Sequence, residues 1–94
     1  MSLTPALSRA ARALLDLDMI AMARKSGVPR TIIADYEKGR KIPQRQDVVA
    51  LKLAFEDAGI VFLADDGYGA GLRLRHSPRQ VGLRPEELTA ENDD

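Results

Sequence analysis

Cysteine is absent from the 94-residue chain, and its absence excludes both a disulfide framework and a thiolate metal site. The single histidine, His76, has no second histidine or cysteine to join it, which argues against a metal centre. No apolar run approaches the roughly 18 residues that a membrane span needs. The first residues also lack the basic segment and apolar stretch of a secretory leader. No Ser-His-Asp grouping, phosphate-binding loop or carboxylate pair in a plausible cleft is visible, so no enzyme and no cofactor are expected. A cytoplasmic protein without a membrane partner fits these absences. Net charge is lacking as well, since 14 Lys and Arg balance 14 Asp and Glu. That balance argues against indiscriminate nucleic-acid binding, whose affinity comes from basic side chains on phosphates.

The distribution of charge changes this picture. Residues 1 to 59 hold ten bases and seven acids, a balance of +3, and residues 60 to 94 hold four bases and seven acids, a balance of −3. A mildly basic part therefore precedes an acidic one; an ordinary mixed surface is the bland alternative. At this length a single domain is expected, near the small end of what folds alone.

Thr4-Pro5 is a helix start, because the hydroxyl caps free N–H groups and proline at the first helical position loses no hydrogen bond. The apolar spacing predicts a first helix from Pro5 to Asp16. Leu7, Ala10, Ala11, Leu14 and Leu15 form its buried stripe, with Ser8, Arg9 and Asp16 toward water. Asp18 caps a second helix with Ile20, Met22 and Ala23 inward. Gly27 then supplies the positive φ that a tight interhelical turn requires. A third helix runs from Pro29 to Lys38 and stops at Gly39, with Ile32, Ile33 and Tyr36 partly facing the core. Arg40 to Gln46 is a basic connector. A fourth helix spans Asp47 to Ala58, with Val48, Leu51, Ala54, Phe55 and Ala58 on one side. The β-branched and aromatic run Ile60 to Ala64, the Gly- and Asp-rich turn 65–71 and the alternating Leu72-Arg73-Leu74-Arg75 read as a β-hairpin over residues 60–75. Residues 76–94, with Pro78, Pro85 and scattered acids, are expected to form a flexible acidic tail.

Two short helices joined at Gly27 make a helix-turn-helix, in which the second helix enters a DNA major groove. Leu15, Leu17, Asp18, Met22, Ala23, Gly27, Val28, Ile33, Tyr36, Glu37, Gly39, Lys41 and Pro43 stand at the spacings of the Cro/repressor-type family, also called XRE or lambda-repressor-like. Residues 4 to 59 resemble that family. The resemblance implies a mainly α fold, a four-helix lambda-repressor-like helix-turn-helix domain, here followed by the C-terminal hairpin and occupying residues 1–75. It also implies a sequence-specific, DNA-binding transcriptional regulator.

Carried over position by position, the resemblance makes Arg30, Thr31, Ala34 and Asp35 of the third helix the base-reading candidates. Arg30 suits guanine O6 and N7, and Asp35 suits a cytosine amino group; an ordinary exposed helix residue is the alternative for Asp35. Arg40, Lys41 and Arg45, in the connector, are the phosphate candidates, against the alternative of a solvated loop. Arg12 and Glu37 occupy positions that form a partly buried ion pair in the family. The chain departs from the family pattern where Asp18-Met19 replaces a Ser or Thr followed by Gln, and where Pro29 replaces a capping Ser. The hairpin is expected to join a homodimer, against the alternative of a monomer whose hairpin folds back on its own helices; the dimer would bind double-stranded DNA at an inverted repeat with no cofactor. The rival reading is a helix-turn-helix-derived module, an anti-activator or antitoxin, that binds a protein partner. Met19, Ile20 and Met22 favour it, because methionine-rich faces adapt to partner surfaces; core packing is the plain alternative for two of the three.

Overall fold

A computed structural model describes residues 3–75; the tail expected over 76–94 lies outside the described residues. Four helices come first, α1 (Pro5–Leu15), α2 (Met19–Ser26), α3 (Arg30–Glu37) and α4 (Arg45–Asp57). They lead into an antiparallel hairpin of β1 (Ile60–Leu63) and β2 (Gly71–Leu74). No helix among the described residues is long and apolar enough to cross a membrane.

The helix ends follow local chemistry. Leu7 N–H donates to Thr4 Oγ1 at 3.1 Å, and Ala21 N–H donates to Asp18 Oδ1 at 2.8 Å, so α1 and α2 each begin on a side-chain cap. At the end of α1, Asp16 takes the left-handed conformation at φ 58°. There its N–H and that of Leu17 turn back onto the Ala13 and Arg12 carbonyls. Pro29 stands before α3 as its cap rather than inside it, and offers no side-chain hydrogen bond.

The core gathers Ala11 of α1, Met22 of α2, Ile33 and Tyr36 of α3, Leu51 and Phe55 of α4, Val28 from the turn and Ile60 of β1. Register pairs Ile60 with Leu74 and Phe62 with Leu72, so alternation places all four on one face of the hairpin. On that face Ile60, Phe62 and Leu72 rest against the helices, with β1 on α4 and β2 on α1, while Leu74 is left exposed. Phe55 and Phe62 meet edge to face, their centroids 6.3 Å apart. Two helices, α1 and α4, thus share the covering of the hairpin.

Several expectations are corrected. The stripe of α1 that turns inward is Leu7, Ser8, Ala11, Arg12 and Leu15, whereas Ala10 and Leu14 are exposed. Ser8 is fully buried rather than toward water, because its hydroxyl serves the buried carboxylate of Glu37. In α2 the inward residues are Met19, Met22, Ala23 and Ser26, one helical face, and Ile20 is 49 % exposed. The fourth helix begins at Arg45, two residues before Asp47, with Gln44 as its cap. Arg45 thus stands on the first turn of a helix and not in the connector.

Candidate functional site

The turn between α2 and α3 sets the position of the third helix. Gly27 sits at φ 77° with its N–H on the Ala23 carbonyl at 2.8 Å. Ser26 Oγ donates to the Met22 carbonyl and accepts from Val28 N–H. Val28 is thereby driven into the core, and the chain re-enters a helix one residue after Pro29. The positive φ is open to glycine at little steric cost and strains any residue with a Cβ.

Helix α3 has two unlike sides. Ile33, Tyr36 and Glu37 are buried; Arg30 and Thr31 are exposed, and Ala34 and Asp35 half-buried. Its far end is held by α1. Arg12 grips Glu37 with Nη2 on Oε1 at 2.7 Å and Nε on both carboxylate oxygens at 3.0 and 3.1 Å. Ser8 Oγ donates to Oε2 at 2.6 Å. Arg9 Nη1 donates to the Glu37 carbonyl, a cation placed at the negative end of the helix dipole. Arg12 also donates from Nη1 to the Leu17 carbonyl at 3.1 Å, so one guanidinium ties the α1–α2 link to the end of α3. The hydrogen bond to Glu37 holds Arg12 above its ordinary pKa against the opposing effect of burial, and the charges of Glu37 and Asp18 act in the same sense as that bond. Glu37 is therefore a structural carboxylate with its oxygens committed.

Tyr36 fixes the other side of the helix, its hydroxyl donating to the Leu3 carbonyl at 2.9 Å. Burial, and then the nearby Glu37 charge, pushes its phenol above the usual tyrosine range.

Beyond Glu37 the chain leaves α3 by a Schellman turn. Gly39, at φ 72°, donates to the Tyr36 carbonyl at 3.0 Å, and Arg40 N–H donates to the Asp35 carbonyl at 2.8 Å. Both bonds fix the start of the connector relative to the helix. Thr31 and Asp35 then face Lys41, Ile42 and Pro43 across an open groove of about 440 Å³ that ends at Gln44 and Asp47. Arg30, Ala34, Arg40 and Arg45 do not line it. Arg30, Arg40, Lys41 and Arg45 are all exposed, and among the described residues none of them is ion-paired. Unpaired cations at the start of α3, beyond its end and at the start of α4 can meet an anionic surface without first breaking an internal bridge. Asp35 and Asp47 oppose that charge inside the groove.

Reading the sequence missed Ser8 and Arg9 as partners of Glu37. Ser8 lies one turn before Arg12, and that spacing is the only signal of its role. Ile42 also went unremarked; an apolar residue in a basic connector was the clue.

No curated protein sequence significantly matches the chain. A helix-turn-helix family model matches residues 9–55, half of the chain, from within α1 to the last turn of α4. A glycine turn at positive φ, a third helix buried on one side and exposed on the other, and that match lead to one conclusion: the chain belongs to the Cro/C1-type, or XRE, helix-turn-helix family of DNA-binding transcription regulators.

Proposed function

We propose that the chain works as a homodimer that reads a specific inverted repeat through α3. Arg30, Thr31, Ala34 and Asp35 face base edges, and Arg40, Lys41 and Arg45 take phosphates. The observation that carries this reading is the division of α3 into a fully packed side and an exposed one, with unpaired cations around its ends. A helix whose back is fixed by Ile33, Tyr36 and Glu37 presents its front in a single orientation, as specific readout requires. Arg45 acts from the first turn of α4, where its charge adds to the positive end of that helix.

The dimer is proposed to form through residues 60–75. Ile60, Phe62 and Leu72 are covered from within the chain, so the contact falls on the open strand edges and on Leu63 and Leu74, which are 38 % and 42 % exposed. Unpaired edges template pairing with another strand, and a two-fold axis brings the same edge from each subunit together. Two copies of α3 then reach successive major grooves roughly 34 Å apart.

Selection of binding sites from random duplexes tests the reading. Arg30→Ala is expected to weaken binding to the selected operator by about 1 to 3 kcal/mol and to relax preference at one base pair. An equal loss on every sequence reduces Arg30 to a phosphate contact.

A protein-binding module remains the second reading, favoured by Ile20, half-exposed at the start of α2. Its test is a captured protein partner released by Ile20→Lys.

A further inference from the structure

Ile42 is 97 % exposed, more than any other large apolar side chain among the described residues. It does not sit on a distant loop. Lys41 and Pro43 flank it, and together they form one wall of the groove whose other wall is Thr31, Ile32 and Asp35 of α3. The connector that carries it is fixed at both ends. The Gly39 and Arg40 N–H groups anchor its start to α3, and Pro43 leads directly to Gln44, the cap of α4. An isoleucine held this way finds no cover within the described residues, so its apolar area is available to a second molecule. Its branched Cβ restricts χ1, so little freedom is lost when it docks.

The groove mixes polar and apolar lining on both sides, with Ile32 beside Thr31 and Asp35 on α3 and Lys41 beside Ile42 and Pro43 on the connector. Thr31 and Asp35 bring oxygen acceptors, Lys41 a cation, and Ile42 and Pro43 hydrocarbon. In the DNA major groove, amino donors lie along the base edges, phosphates flank them, and the one methyl group belongs to thymine.

We propose that Ile42 reads a thymine, its side chain packing on the C5-methyl group beside the base edge that Thr31 and Asp35 face. The proposal rests on the α3 reading above. It adds a specificity residue outside the recognition helix, on a segment expected to touch only phosphates.

The full chain and its selected operator provide the test, each thymine being replaced in turn by deoxyuridine, which removes the methyl and keeps the pairing. The natural chain is expected to lose affinity about fourfold at one thymine in each half-site, the worth of one buried methyl-sized group. Ile42→Ala is expected to bind the thymine operator with that loss already incurred, and to show no further loss with uracil at that position. Ile42→Val keeps part of the discrimination. Because the side chain is outside the core, far-UV circular dichroism of both variants should match that of the natural chain. Equal weakening by Ile42→Ala on thymine and uracil operators assigns Ile42 to the sugar-phosphate backbone and overturns the proposal. Unchanged operator binding by Ile42→Ala also overturns it and leaves the exposed face to a protein. If the natural chain enriches no sequence, the α3 reading fails and the thymine contact fails with it.

Discussion

Glu37 shows how a single buried charge organises its surroundings. Its side chain is 2 % exposed while that of Arg12 is 20 % exposed, so the carboxylate has lost its water and depends on three side-chain donor groups: the Ser8 hydroxyl and two N–H groups of Arg12. Arg12→Ala leaves that carboxylate with the Ser8 hydroxyl alone. Removing one partner of a buried pair costs about 3 kcal/mol or more. In a domain of this size each kcal/mol moves Tm by roughly 4 to 8 °C, so thermal unfolding of Arg12→Ala is expected at least about 12 °C below that of the natural chain. Ser8→Ala, which removes one hydrogen bond, should lower Tm by roughly a third as much. A melting temperature of Arg12→Ala within a few degrees of the natural chain would show that water replaces the guanidinium.

Among the elements, the hairpin and the connector behave differently. The turn of the hairpin is held by Asp65, whose Oδ1 accepts from Gly67 N–H at 2.8 Å and Gly69 N–H at 2.9 Å. These bonds, that of Gly67 before that of Gly69, hold the Asp65 carboxyl below the ordinary aspartate range. A carboxylate with a depressed folded pKa favours the ordered turn above its unfolded value, and the effect is lost as pH falls through the lower, folded one. The Gly67 and Gly69 amide resonances should therefore titrate together with a midpoint below that of a free aspartate; a midpoint at the free value would mean that the turn bonds do not persist in solution. The connector and the first turn of α4 carry exposed cations instead. If Arg40, Lys41 and Arg45 each hold a phosphate, the triple alanine variant should flatten the slope of log affinity against log salt by about 2.7, roughly 0.9 for each contact. An unaltered slope removes them from the DNA interface.

For the whole molecule, the open question is what meets the hairpin edges. Helices α1 and α4 already cover Ile60, Phe62 and Leu72, so the proposed dimer has strand edges, Leu63 and Leu74 to form on and not a bare hydrophobic face. Such an interface is smaller and more easily broken. Sedimentation at micromolar concentration is expected to give a dimer for the full chain and for a chain ending at Arg75, and a monomer for Leu63→Glu combined with Leu74→Glu. Both side chains are partly exposed, so the double variant should remain folded. A full chain that sediments as a monomer, or a double variant that stays dimeric, moves the two-fold contact elsewhere or removes it.

The order of elements, the turn at Gly27 and the hairpin were legible in the sequence, because each depends on short-range chemistry. Thr4 and Asp18 cap their own helices, glycine permits positive φ, and alternation writes the two faces of a strand. The rotation of each helix was less legible. Leu14 and Ile20 are apolar by composition and exposed in fact, while Ser8 is polar and buried, since which side of a helix turns inward depends on partners distant in the chain. Ser8 is drawn in by Glu37, 29 residues away. The covering of the hairpin by α1 and the joining of Thr31, Asp35, Lys41 and Ile42 around one groove have the same origin. The sequence by itself determined the helix-turn-helix; only tertiary packing decided which side chains it buries and which it holds out to a partner, because burial is settled by the sum of contacts and no local spacing encodes that sum.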